Sequence, residues 1–247
     1  MKKRDLFIAV LVLLGAWLVI SVIFDTPLIP SPIIVSKTLI EEIISGELPG
    51  HFVASLWRVV ASTLLAITFA APIGIILGQS KRLNRVFSPF IYLLYPVPKV
   101  VFVPIILLIF GIGDFPKILI IFIILFFQVL VLVRDRAAGI RPELITSVHS
   151  LGAGRRALFR FVYIPASAPA ILTALRQSVG TAVAVLFIAE LFATQKGLGY
   201  YIYFNSSTLF NYPAMYAGII GMAIMGFGLY ITVDWLEHRI AGWQFVD

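Results

Sequence analysis

The sequence predicts an all-α polytopic membrane protein with about six transmembrane helices, and three observations carry the prediction. Hydrophobic residues make up 60% of the 247 residues and charged residues 13%, about half the 25% charge of a typical soluble domain. The apolar residues form six long runs, and a membrane-spanning helix needs about 20 such residues. Lysine and arginine are concentrated in alternate segments between these runs. This composition argues against a soluble enzyme or a nucleic-acid-binding domain, despite a net charge of +7.

The first run, 6–24, follows a basic start and is predicted to be a retained anchor, because Asp25-Thr26-Pro27 offers no small-residue cleavage site. Runs of this length indicate helices rather than barrel strands. With no internal repeat or soluble domain visible, the chain is predicted to be a single transmembrane domain, 1–247. The other spans are predicted at 52–77, 86–110, 118–133, 164–192 and 213–236.

The segment between the first two spans contains a predicted short helix. Leu39, Ile40, Ile43 and Ile44 fall on one helical face there. Two interpretations are open: a helix lying on the outer membrane surface, or a helix packed within the loop.

Sorting the 19 lysines and arginines predicts the orientation. Thirteen fall in segments that are cytoplasmic if the N-terminus is cytoplasmic, and only Lys37, Lys117 and Lys196 fall outside. Such an excess is typical of cytoplasmic loops. Both termini are therefore predicted to be cytoplasmic, and the net charge reflects orientation. Three basic residues fall within spans: Arg58, Lys99 and Arg176.

The longest predicted cytoplasmic loop, 134–163, contains two short helices. Pro142 suits a first helical turn and Glu143 the positive end of the helix. The helix is predicted to stop at Gly152, a residue suited to a left-handed cap, and Gly154 allows a second bend. Two interpretations follow from the residues alone: contact with another protein that moves the spans, or a basic hairpin on anionic lipids.

The same loop resembles a known signature. The segment contains Leu151-Gly152-Ala153-Gly154, and Gly152 is followed by nine residues and then by Val162-Tyr163-Ile164-Pro165. The signature loop of ABC importer permeases reads Glu-Ala-Ala, three residues, Gly, nine residues, Ile, any residue, Leu-Pro. Further motifs, in order, resemble the nitrate/taurine/sulfonate branch of these permeases over most of the chain: Ser55-Leu56-Trp57-Arg58, Tyr95-Pro96-Val97-Pro98-Lys99, Pro104, Phe110-Gly111-Ile112-Gly113, Ala189-Glu190-Leu191 and Gly197-Leu198-Gly199-Tyr200.

One departure concerns the contact with the ATPase. Thr146-Ser147-Val148 stand where the family has Glu-Ala-Ala. The missing carboxylate weakens the expectation of the usual charged contact, while docking by shape and apolar contact remains open. The change also leaves room for a hetero-oligomer in which a second permease keeps the charge.

The resemblance implies a type I ABC importer permease, which is a transport subunit and not an enzyme. It implies two cytoplasmic ATPase subunits, a second copy of the chain or a paralogous permease, an extracytoplasmic solute-binding protein, and the cytoplasmic membrane of a prokaryotic cell. No cofactor or metal is expected here, because ATP and Mg²⁺ belong to the ATPase and the chain has no Gly-x-x-x-x-Gly-Lys-Ser/Thr loop. The implied coupling-loop residues are Arg141, Pro142, Glu143, Thr146, Ser147, Val148, Leu151, Gly152, Ala153, Ile164 and Pro165.

Charges inside spans are costly and indicate function by default. Lys99 and Arg176 are predicted near mid-membrane, where they would line a path for a small anion such as a sulfonate, taurine, nitrate or bicarbonate. Alternatively, they satisfy backbone carbonyls freed by prolines or pair with a partner chain. Arg58 and Glu190 are predicted to form an ion pair, more readily structural than catalytic, or part of an outer gate.

Pro96, Pro98 and Pro104 are predicted to kink the third span, since proline removes a backbone donor; this span and the fifth are the favoured pathway helices. Asp234, Glu237, His238 and Arg239 are interpreted as a solvated helix end. The alternative function is an ion-coupled secondary transporter, which often shows repeats and buried acidic residues. A membrane-embedded enzyme lacks a recognised catalytic set.

Overall fold

The computed structural model describes residues 3–192 and 194–244, and the regular structure in these residues is entirely helical. The structure also contains a 3₁₀ turn, Lys99–Phe102, and a π-helical turn, Phe159–Tyr163. The α-helices are α1 (Lys3–Phe24), α2 (Pro32–Ser45), α3 (Glu47–Gln79), α4 (Lys81–Leu94), α5 (Val103–Phe110), α6 (Asp114–Ala138), α7 (Pro142–Ser150), α8 (Arg155–Leu158), α9 (Ile164–Leu191), α10 (Leu198–Ser207) and α11 (Tyr212–Ile240).

Five helical stretches are long and apolar enough to cross a membrane. They are α1, α3, α6, α11 and the stretch Arg155–Leu191, which combines α8, the π-helical turn and α9. A sixth span results if α4 and the segment Lys99–Phe110 count together, although they are bent by 74°. The apolar run 86–110 is therefore not one straight helix. Pro96 and Pro98 lie in the break, and each lacks the N–H that would continue the helix.

Helix α6 is longer than the apolar run 118–133 that predicted it. It includes Lys117, which was expected in an outer loop, and Arg134, which was expected in the cytoplasmic loop. Both side chains are buried, and the Lys117 ammonium donates to the Gly113 carbonyl at 2.9 Å. Hydropathy alone ends a helix at the first charge, whereas packing and a carbonyl partner allow the charge inside.

The chain divides into two compact units. The first comprises Met1–Ser55 and Glu190–Ile224. Within it, α1 is held near its end by hydrogen bonds from Trp17 Nε1 to the Pro30 carbonyl and from Ser21 Oγ to the Ile29 carbonyl. The predicted helix α2 is present, and Ile40, Ile43 and Ile44 are exposed within this chain, which favours the membrane-surface interpretation.

The second unit comprises Leu56–Ala189 and Met225–Asp247. Its core includes Ala70, Ile75, Val129 and Val133, which lie on α3 and α6. Gly74 and Gly78 allow the close approach, because a Cβ at Gly78 would lie 2.5 Å from the Arg134 carbonyl oxygen. This is the small-xxx-small spacing by which membrane helices pack backbone to backbone.

Candidate coupling and translocation sites

The predicted coupling segment, residues 134–163, contains α7 where the sequence predicts a helix. Pro142 occupies the first turn, and Gly152 adopts φ +83°, the left-handed conformation expected of a helix cap. Every described residue of α7 is at least partly exposed, and Leu151, just beyond its end, is 85% exposed. A short rigid helix followed by an exposed apolar side chain is well suited to seating in a partner.

The hydroxyl of Thr146 takes the place of the family's glutamate. It donates to the Pro142 carbonyl of its own helix at 2.9 Å. The side chain at this position is therefore neutral and turned back on the backbone. The exposed apolar residues of this segment include Leu144 and Leu151.

The π-helical turn Phe159–Tyr163 joins the coupling segment to α9. Pro165 has no N–H to donate to the Phe161 carbonyl four residues earlier, and the Ile164 N–H instead reaches back five residues to Phe159. Such π-bulges occur frequently at functional sites. This irregularity lies where a displacement of α7 would enter α9.

Glu190, at the end of α9, is fully buried. Its carboxylate oxygens accept hydrogen bonds from Ser55 Oγ and from the Gly199 N–H, each at 2.9 Å. Ser55 Oγ in turn accepts from the Leu198 N–H at 2.8 Å. These contacts hold Gly197 and the first residues of α10 over Glu190. The approach requires glycine at position 197, because a Cβ there would overlap the carboxylate. The motif glycines and the buried acid form one structure, which the sequence analysis treated as two separate matches.

His51 and Tyr201 complete this cluster. The Gly197 N–H donates to His51 Nδ1 at 3.0 Å, so that nitrogen acts as an acceptor. Burial raises the pKa of the Tyr201 hydroxyl, and the nearby Glu42 carboxylate raises it further. Tyr201 therefore stays neutral at physiological pH.

Arg58 lies against an acid that the sequence analysis did not single out. Its Nη2 and Nε atoms lie 2.7 and 2.8 Å from Asp114 Oδ1, and the guanidinium is almost fully buried. Asp114 opens α6 directly after the quoted Gly111-Ile112-Gly113 motif, and an acid at a helix start was the available signal. The pairing of Arg58 with Glu190 stays a prediction.

Lys99 caps the break between α4 and α5. Its ammonium donates to the carbonyls of Leu94 at 2.8 Å, Tyr95 at 3.0 Å and Val97 at 3.3 Å. It also lies 4.5 Å from the centre of the Phe127 ring, within the range of a cation–π contact. These contacts favour the alternative in which Lys99 satisfies carbonyls freed by Pro96 and Pro98. Pro104 lies in the first turn of α5, where a missing N–H costs little.

Arg176 forms an ion triad with two acids of α11. Its Nη1 lies 3.0 Å from both Asp234 Oδ1 and Glu237 Oε2, and Thr173 Oγ1 donates to Glu237 Oε1 at 3.1 Å. Glu237 is only 2% exposed. The interpretation of this acidic group as a solvated helix end is therefore wrong for Glu237, because burial against α9 gives the acid a structural partner. The charge of Arg176 is compensated within the chain.

Residues 70–242 match a family described as the binding-protein-dependent transport system inner membrane component. The match includes the coupling segment, Lys99, Arg176 and Glu190. The chain belongs to this family. As a member, it is the permease subunit of an ABC importer, a transport subunit that works with separate ATPase subunits and not an enzyme. Membership also decides against the ion-coupled secondary transporter.

Two curated permeases and one solved structure show how far the similarity extends. The taurine transport system permease of Escherichia coli (strain K12) is 32% identical over 78% of this chain and 70% of its own length. A Bacillus subtilis (strain 168) permease named for aliphatic sulfonate transport is 31% identical over 94% of this chain and 85% of its own. An inward-facing structure of the MetNI methionine ABC transporter covers 81% of this chain and 98% of that chain, with a TM-score of 0.68 and 17% identity. This last likeness shows a shared fold.

Proposed function

We propose that this permease carries a small solute of the sulfonate or small-anion type, with taurine and aliphatic sulfonates as the first candidates and the inorganic anions nitrate and bicarbonate next. The observation that carries the proposal is the similarity, over most of the chain, to permeases named for taurine and for aliphatic sulfonates. The predicted excess of basic residues on the cytoplasmic side is compatible with the release of an anion there.

In the proposed assembly, two permeases form the pathway, two ATPases bind ATP and Mg²⁺, and an extracytoplasmic protein delivers the solute. The assembly lies in the cytoplasmic membrane of a prokaryotic cell. The second permease is a copy of this chain or a paralogue that retains the family's glutamate. The exposure of α7 and the left-handed Gly152 support contact with the ATPase at residues Arg141 to Ala153.

Uptake by reconstituted vesicles tests the substrate. The permease is combined with the ATPase and the solute-binding protein encoded beside it, and ATP-dependent accumulation of labelled taurine, nitrate and bicarbonate is measured. Accumulation of taurine above the other two is the expected result. Uptake of none of the three anions, or a gene isolated from any ATPase gene, contradicts the proposal.

A matched pair of glycine variants tests the coupling segment. Gly152→Val forces a β-branched residue into φ +83°, whereas Gly154 has φ −76° and can accept valine. We expect Gly152→Val to abolish co-purification with the ATPase while the spans still insert, and Gly154→Val to retain it. Equal co-purification by both variants would remove α7 from the contact.

A further inference from the structure

A cavity of about 370 Å³ lies where α6 ends, α7 begins and α9 passes. Its polar lining comes from Arg136 in the last turn of α6, Arg141 immediately before α7, and Thr173 and Gln177 one turn apart on α9. Cavities that bind small molecules typically measure about 300–1,000 Å³ and contain a few convergent polar groups. This cavity meets both criteria.

The two arginines of this cavity carry uncompensated charge. Among the described residues, neither guanidinium takes part in an ion pair or a side-chain hydrogen bond. The nearest acid along the chain, Asp135, is already paired with Arg134 at 2.8 Å, and Glu143 does not line the cavity. Both residues are exposed, so each charge is accessible to an anion from solution, and one anion in the cavity can pair with both guanidinium groups.

Arg176, the arginine of α9, does not line this cavity. Arg176 is neutralised by Asp234 and Glu237, so it offers no free charge to a ligand. Thr173 lines the cavity and bonds to Glu237, which joins the cavity wall to that triad. Of the two cations that the sequence analysis placed near mid-membrane, Arg176 is therefore paired with acids and Lys99 with backbone carbonyls.

We propose that this cavity is a binding site for a small oxyanion, held by the guanidinium groups of Arg136 and Arg141 and by the amide of Gln177. Guanidinium groups present paired donors that match the oxygens of sulfonate, sulfate or phosphate groups. The oxyanion belongs to a free solute or to a lipid headgroup, which share this chemistry. The site itself does not depend on the proposed transport substrate.

Binding is measured on the full chain in nanodiscs of neutral phosphatidylcholine, by calorimetry with potassium sulfate and potassium methanesulfonate, against potassium chloride at equal ionic strength. We expect Arg136→Gln and Arg141→Gln each to weaken sulfate binding about tenfold, because each removes a charge-assisted hydrogen bond to the anion. The double variant should not bind. Arg136→Lys, which keeps the charge, should retain part of the affinity.

Arg85→Gln is the matched control, because Arg85 is an exposed arginine on α4 outside the cavity, and it should bind as the unaltered chain does. If sulfate does not bind but phosphatidylglycerol in the nanodiscs raises the melting temperature of the unaltered chain and not of the double variant, the lipid headgroup is the source. Equal binding by the unaltered chain and the double variant, or no response to any of these anions, overturns the proposal. Sulfate binding without taurine uptake would overturn the transport substrate alone.

Discussion

Gly197 illustrates how one backbone position supports a buried charge. Its φ of +130° is open to glycine and strained for other residues, and its missing side chain leaves room for the Glu190 carboxylate. With Gly197 in place, the N–H groups that follow it can reach Glu190 and Ser55. Gly197 is thus required because the Glu190 carboxylate lies directly against it.

Replacing Gly197 by alanine is expected to destabilise the protein by at least about 2 kcal/mol, from backbone strain and overlap with Glu190. For a chain of this size, that lowers the apparent melting temperature by about 5 °C. Gly180→Ala is the control, because nothing lies within 4 Å of a Cβ at Gly180. Equal melting temperatures for the two variants would contradict the role of Gly197.

Arg58 and Asp114 provide a second test at the residue scale. The Arg58 side chain is 4% exposed and that of Asp114 is 49% exposed. Loss of the acid therefore removes the hydrogen bonds that Asp114 accepts from a buried cation. A double-mutant cycle with Arg58→Gln and Asp114→Asn is expected to give a coupling energy of about 1–3 kcal/mol in the free energy of unfolding. Strictly additive single effects would show that the pair is not coupled.

Pairs of this kind were beyond the sequence analysis for a physical reason. Hydropathy and helical periodicity report on neighbours along the chain, whereas Asp114 and Arg58 are 56 residues apart. The sequence did predict the residues that occupy special local conformations, such as Gly152. It also singled out Glu190, as a partner for Arg58, without the backbone N–H groups that bond to it.

The helices themselves were predicted well where one apolar run corresponds to one uninterrupted helix. The limits of α1, α9 and α11 lie within a few residues of the predicted spans. The errors occur where charge or proline interrupts the pattern: α6 continues past Lys117 and Arg134, and the run 86–110 bends at Pro96 and Pro98. In both places the charged groups bond to nearby backbone carbonyls or to a neighbouring acid, which a hydropathy pattern does not register.

The contact between α3 and α6 predicts a graded response at the element scale. A Cβ at Gly78 would lie 2.7 Å from Ala137 Cβ, one at Gly74 would lie 3.1 Å from Val133 Cβ, and one at Gly228 meets nothing within 4 Å. We expect Gly78→Ala to lower the melting temperature most, Gly74→Ala less and Gly228→Ala very little, because overpacking costs about 1–3 kcal/mol. An unchanged melting temperature for Gly78→Ala would contradict close packing.

At the scale of the whole molecule, the distribution of charge predicts the orientation in the membrane. The chain contains no cysteine, so single cysteines report without background. Ser45 in α2 and Ser150 in α7 are both exposed, and the prediction places them on opposite sides. A membrane-impermeant maleimide should label Ser45→Cys in right-side-out vesicles and Ser150→Cys in inverted vesicles.

Complete permeabilisation with detergent is the control for that labelling, and it should expose both cysteines equally. Labelling of both variants from the same side would contradict the predicted number of crossings. Reversal of the two sides would instead contradict the positive-inside orientation.

The first helix, α1, differs from the other long helices in how little of it is packed inside the chain. None of the residues Phe7–Phe24 is buried inside the protein, and the helix lies outside the region matched by the family. Its 22 residues measure about 33 Å, close to the hydrocarbon thickness of a bilayer. Within this chain, the requirements on its sequence are therefore its length, its apolar character, the hydrogen bonds of Trp17 and Ser21 to the following loop, and the stacking of Trp17 on Tyr216.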